Sequence, residues 1–138
     1  MRINSRTKRL AAARRGTVAV EMALTIPLLL FIVFSSYEFA RANMIRHTVE
    51  AACYESARQG ILPGADVQQV DDAANFVLGS VAIQGATIEV APAPLTSQSK
   101  TVEVTITVPL ESNLSFAPFF LKEGTVKRSC RMARENTN

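Results

Sequence analysis

Hydrophobic and polar positions divide this chain into three regimes. From Thr17 to Tyr37 the only charged residue is Glu21, and Leu24, Ile26, Leu28, Phe31 and Phe34 fall in an unbroken apolar middle. This run of 21 residues would be about 31 Å long as a helix, enough to cross a bilayer. Pro27 lies inside it and is expected to bend the helix locally, which membrane helices tolerate. Glu38 to Gln59 contains no Pro or Gly, and Ala42, Ile45, Val49, Ala52 and Ser56 recur at spacings of three and four. That narrow stripe, with Arg41, Arg46, Glu50, Glu55 and Arg58 elsewhere on the helix, predicts one continuous helix of some forty residues, half membrane-spanning and half packed on another surface. Gly60 and Pro63 are its stop signals.

A shorter helix follows. Asp66 and Gln69 have capping-box spacing, and Val67, Val70, Ala74, Val77, Leu78 and Val81 mark one face. Gly79 weakens its end and Gly85 closes the segment. The period then changes to two. Ala86–Val90 alternates, and Thr101–Val108 alternates without exception, with Val102, Val104, Ile106 and Val108 on one face. Both read as half-buried strands. Pro92, Pro94 and the polar run Thr96–Ser99 make an exposed connection. A third strand is expected in Thr125–Met132, where Val126, Cys130 and Met132 share a face with Arg128, as an edge strand with an outward-turning charge would allow. The predicted fold class is α+β: a long helix, a short helix and a small antiparallel sheet of two to three strands. The expected organisation is a basic leader over 1–16, a transmembrane helix over 17–37 and an extracytoplasmic α+β domain over 38–138.

Charge changes the picture because it is uneven. The chain has 138 residues, 15 Lys and Arg, 12 Asp and Glu, and a formal net charge of +3. Arg2, Arg6, Lys8, Arg9, Arg14 and Arg15 precede Gly16 without a single acid, which leaves nine basic residues against twelve acidic ones over 17–138, a net −3. The basic character belongs to the leader and has no interleaved aromatics, so nucleic-acid binding is not indicated. Arginines on the N-terminal flank of an apolar run hold that end in the cytoplasm by the positive-inside rule. A conventional secretory signal fits less well: the apolar stretch is too long, and the nearest small-residue cleavage context, Ala40-Arg41-Ala42, falls on the continuing helix.

An ionised carboxylate within hydrocarbon costs at least about 2.5 kcal/mol, which makes Glu21 a functional candidate. Arg14-Arg15-Gly16, followed at the fifth position by Glu21 on an apolar run of spanning length, resembles the processing site of type IV pilin-like proteins. Cleavage there falls between Gly16 and Thr17. The new α-amino group of Thr17 would then lie one helical turn from Glu21, which can pair with it or with a neighbouring subunit's. The dipole at the helix start also favours the carboxylate.

The resemblance becomes specific with Pro27, the exit Tyr37-Glu38-Phe39-Ala40-Arg41 and the stretch Ala51-Ala52-Cys53-Tyr54-Glu55-Ser56-Ala57-Arg58. Together these are similar to the TadE-like family, the pseudopilins of tight-adherence (Flp-type) pilus systems. Cys53 and Tyr54 replace the family's more usual Arg-Glu order, and Ser56 replaces a glycine. The first 60 residues carry most of the likeness. It implies a structural, non-enzymatic membrane subunit used in pilus assembly or secretion, cut by an aspartyl prepilin peptidase. Its partners would be the membrane, that peptidase and other pilin-like subunits, with no cofactor, metal, nucleic acid or small-molecule substrate.

The remaining chemistry is sparse. Cys53 and Cys130 would both lie outside the cytoplasm, where oxidation is permitted. Paired, they would tie the long helix to the last strand across 77 residues, a staple of about 4 kcal/mol in the chain-entropy model; the other reading is two buried thiols. His47 is the only histidine, which argues against a metal site or a catalytic triad and for a helix-surface residue. Glu89, Glu103 and Glu111 read as solvated strand residues. Phe116-Ala117-Pro118-Phe119-Phe120-Leu121 is the most apolar stretch outside the long run and reads as core or as a contact surface. Two rivals to the pilin-like reading stand beside it: an uncleaved signal-anchored extracytoplasmic binding domain, and a small membrane enzyme for which no catalytic constellation is visible.

Overall fold

The computed structural model describes residues 4–96, 99–115 and 124–134, with side chains from Gly16 onward. The elements are helix α1 (Asn4–Gly60), helix α2 (Val67–Gly79) and strands β1 (Thr87–Ala91), β2 (Thr101–Pro109) and β3 (Thr125–Ala133). The α+β architecture is as the hydrophobic periods predict. The chain forms two compact units, Met1–Tyr37 and Glu38–Asn138.

In the first unit α1 begins at Asn4, so the helix takes in the leader and Gly16 rather than starting after the glycine. Ala11, Ala12, Ala13 and the flanking arginines are strong helix formers, and no Pro or Gly interrupts them before Gly16. The helix continues through Pro27.

The second unit is two-layered. The sheet has the order β1-β2-β3 with both pairings antiparallel. β2 is its centre, and its burial alternates along the whole strand. Val102, Val104, Ile106 and Val108 are completely buried, each stabilising the fold by roughly 1.5–3 kcal/mol relative to exposure. Against this face lie Ile45, Val49, Ala52, Cys53 and Ala57 of α1 and Val70, Ala74 and Leu78 of α2, in one cluster. The seam read from the sequence is therefore the packing face of α1, with Cys53, Ala57 and Gly60 widening it.

α1 ends where it meets the sheet. A Cβ on Gly60 would stand 2.9 Å from Val102 Cγ1 and 3.2 Å from Val70 Cγ2, so only glycine permits this approach. Asp66 is the N-cap of α2, its carboxylate accepting the Val67 N–H at 2.7 Å. Gly85 adopts φ +69°, a left-handed conformation that lets the chain turn into β1 beside Pro109. Ala91–Pro92 and Ala93–Pro94 are cis peptides in the connection to β2. At the far end of β3, Arg134 donates to the carbonyls of Thr96 at 3.0 Å and Leu62 at 3.1 Å, tying two loops together.

β3 is the edge strand expected. Its register places Val126, Arg128, Cys130 and Met132 opposite Val108, Ile106, Val104 and Val102. Arg128 thus belongs to the inward-facing set, yet its side chain is exposed because the strand borders open space.

Candidate functional site

The first unit offers one feature, an apolar helix with a carboxylate in it. Every large apolar side chain from Val18 to Phe34 is 45–72 % exposed. The helix is long and apolar enough to cross a membrane, with a mean hydropathy of 2.3 over its best window, none of it buried within the protein. So much exposed apolar surface requires a lipid or protein environment. Gly16 lies inside the helix, and a Cβ there would meet nothing within 4 Å. Thr17 follows it. Glu21 is exposed one turn further on, where its carbonyl accepts the Thr25 hydroxyl at 2.8 Å. Four residues separate Thr17 from Glu21, so helical geometry puts both on one face. Arg14 and Arg15 lie on the helical leader backbone.

The second unit shows what the Glu38-Phe39-Ala40-Arg41 exit does. The Glu38 carboxylate accepts the backbone N–H of Ser115 at 3.0 Å. Arg41 donates from Nη2 to the Val81 carbonyl at 3.3 Å and from Nε to the Asn113 carbonyl at 3.5 Å. Asn113 is the hub of the arrangement. Its Nδ2 donates to the carbonyls of Gln84 and Pro109, both at 2.8 Å, and its Oδ1 accepts the Gln84 N–H at 2.8 Å. The first turn of α1 in this unit, the turn after α2 and the turn after β2 are therefore fastened at one point. Sequence reading placed Arg41 simply off the core stripe and missed Asn113. The Glu-Ser-Asn turn composition after β2 was the available signal. The Phe116–Leu121 stretch lies outside the described residues.

Cys53 and Cys130, far apart in sequence, are brought together. Cys53 is buried on α1, and its thiol donates to the Val104 carbonyl at 3.2 Å, with the Arg128 carbonyl at 3.7 Å. Cys130 is directly opposite Val104 across the sheet ladder. Both are free thiols in this structure. Burial, and then the hydrogen-bonded Cys130 thiol beside it, push the Cys53 thiol up to about 12. Such a thiol is unreactive as long as it stays buried.

His47 is exposed on the helix surface. Glu89 and Glu111 are exposed, and Glu103 is half-buried, accepting the Ser129 hydroxyl at 2.8 Å. Among the described residues no group of three or more His, Cys, Asp or Glu could hold a metal ion.

Residues 16–58 match the family model described as TadE-like protein. The match begins at Gly16 and takes in Glu21, the apolar run, the Glu38–Arg41 exit and the Ala51–Arg58 stretch. No curated protein and no solved structure matches the chain. The matching segment fits a membrane protein related to tight-adherence pili, a structural family rather than an enzymatic one.

Proposed function

With residues 16–58 TadE-like, we propose that this chain is a single-pass, pilin-like membrane subunit that acts structurally in assembling a tight-adherence type pilus or a related secretion apparatus. A prepilin peptidase cuts it between Gly16 and Thr17. The leader arginines, Arg14 and Arg15 included, hold the N-terminus in the cytoplasm, and the unit from Glu38 onward lies outside. The apolar helix anchors the chain before assembly and packs against other pilin-like subunits afterwards. Glu21 pairs with the Thr17 amino group of its own or a neighbouring chain. In the oxidising compartment Cys53 and Cys130 form a bridge.

The observation that carries this reading is that the family match opens on the very glycine that precedes an exposed apolar run bearing one carboxylate. The test is the intact mass and N-terminal sequence of the protein from native membranes. A chain beginning at Thr17 is expected. A chain that keeps its leader, in cells with an active prepilin peptidase, overturns the processing step.

One observation favours a second reading, an uncleaved signal-anchored extracytoplasmic binding domain. α1 runs unbroken through Gly16, so the scissile bond lies in hydrogen-bonded helix that a peptidase must unwind. The N-terminal sequence decides between the two.

A further inference from the structure

A cleft of ≈ 430 Å³ opens in the second unit where α1 passes the edge strand β3, lined by Arg46, Thr125, Val126, Lys127 and Arg128. Three of its five lining residues are cations and a fourth carries a hydroxyl. Arg46, Lys127 and Arg128 are all exposed. Arg128 donates from Nη1 to the Lys127 carbonyl at 3.2 Å, which draws its guanidinium back along the strand edge. Among the described residues the ion pair is Arg58–Glu55 at 3.6 Å, and none of the cleft cations is paired with a described carboxylate. Glu50, one turn beyond Arg46 on α1, is exposed and makes no such pair with it. Guanidinium, ammonium and hydroxyl groups around one cleft are donors suited to a phosphate.

The cleft belongs to a particular end of this unit. Gly124, next to Thr125, accepts the Leu110 N–H at 2.8 Å. Leu110 opens the turn whose far end, Ser115, is held by Glu38. Glu38 is the first residue after the apolar run, and Arg46 follows it by little more than two helical turns.

We propose that this cleft binds the phosphate of an anionic phospholipid headgroup at the membrane surface. This rests on the membrane-anchor reading. The cations would supply a lipid contact in addition to the tether of the helix itself. Each cation near an anionic surface contributes enough to alter lipid affinity about fivefold.

The experiment titrates phosphatidylglycerol into the full chain held in neutral-detergent micelles, following the amide resonances of Thr125–Arg128. Saturable shifts are expected, weakened about fivefold by Arg46→Gln and again by Lys127→Gln, and diminished by salt. Both residues are exposed, so the variants keep their fold, and unchanged β2 resonances verify it. Absence of shifts overturns the proposal. Saturation by inorganic phosphate or by an acidic peptide as readily as by the lipid overturns it also, because the site would then serve free anions or a protein partner. A chain that stays soluble without detergent would remove the membrane-anchor reading and the lipid site with it, a result distinct from an anchored chain whose cleft ignores lipid.

Discussion

Arg41 on the long helix hydrogen-bonds the carbonyl of Val81, forty residues away, at 3.3 Å. The same guanidinium reaches the Asn113 carbonyl from Nε, so one side chain spans two turns that Asn113 also joins. Arg41→Ala removes both bonds and leaves two carbonyls short of a donor. The geometry is long for a charge-assisted bond, so the expected loss is about 1–2 kcal/mol of stability. For a unit of this size that lowers the melting temperature by roughly 4–8 °C per kcal/mol. Arg41→Lys should recover only part, since an ammonium lacks the fork. Thermal unfolding of the full chain in detergent checks it, and an unchanged midpoint would show that the clamp contributes nothing.

Gly60 presents the opposite case, a substitution that helix propensity alone misjudges. Alanine is better than glycine in a helix by about 1 kcal/mol. Here the added methyl would lie 2.9 Å from Val102 Cγ1 and 3.2 Å from Val70 Cγ2, and both are fully buried, β-branched side chains with little freedom to rotate. Gly60→Ala is therefore expected to destabilise by about 1–3 kcal/mol, read by denaturant titration. Pairing it with Val102→Ala, which frees the colliding methyl, should make the two losses less than additive.

These two positions show which information the sequence carries. Ala42, Ile45, Val49, Ala52 and Ser56 announce the packing face of α1 through spacing alone, because burying a helix stripe imposes a period of 3.6. Val102 to Val108 announce the central strand in the same way with a period of two. Arg128 looked discordant on a core-facing register, and its exposure follows from β3 being an edge, a property of strand order rather than of local sequence. Asn113 and Arg41 were illegible for a related reason. Their partners are backbone carbonyls and amides, which every residue has, so no complementary side chain marks the site in the sequence. The helical leader was missed because Gly16 was read as a boundary, although the roughly 1 kcal/mol that one glycine costs a helix can be offset by the Ala and Arg before it. The Gly16, Thr17 and Glu21 spacing was visible from the start, since motif chemistry is written in side-chain identity.

The thiol of Cys53 gives a pH dependence of known sign. Its value in the fold, about 12, is above the ordinary 9.0 because burial and the adjacent Cys130 thiol disfavour the thiolate. Unfolded chains lose the proton first as pH rises, so the folded state holds more protons between 9.0 and about 12. The stability contribution of the neutral thiol is full below 9.0 and is lost as pH rises toward about 12. Reduced protein should therefore lose stability over that window, and Cys53→Ser, tested in parallel with wild type, should flatten this part of the profile. At pH 8 alkylation of the native reduced chain should modify Cys130 well before Cys53, as peptide mass mapping would show.

Oxidation supplies a separate test of the same pair. Protein recovered from the oxidising compartment, unfolded without reductant, should resist alkylation at both Cys53 and Cys130, and reductant should release both. Loss of the bridge is expected to cost about 4 kcal/mol for a loop of this length in the chain-entropy model. Cys130→Ser would then melt lower than wild type under oxidising conditions and close to it under reducing ones. Stoichiometric labelling of the unfolded, unreduced chain would mean that the adjacent thiols remain unbridged in the cell.

Glu21 separates anchoring from assembly. A carboxylate at the centre of the hydrocarbon costs at least about 2.5–3.5 kcal/mol, so a helix serving only as an anchor would be improved by its loss. Glu21→Ala should accordingly leave the chain fully membrane-bound with an intact second unit. If the carboxylate pairs with a Thr17 amino group across subunits, the same change removes a charge partner in a low-dielectric setting, where breaking one side of an ion pair costs about 3–5 kcal/mol. Co-purification with other pilin-like subunits would then fall by two orders of magnitude or more, in keeping with about 1.4 kcal/mol per tenfold change in affinity. Glu21→Gln, which keeps the shape and removes the charge, should behave like Glu21→Ala. Assembly that survives both substitutions would leave the helix as a simple anchor and put the function wholly in the unit from Glu38 onward.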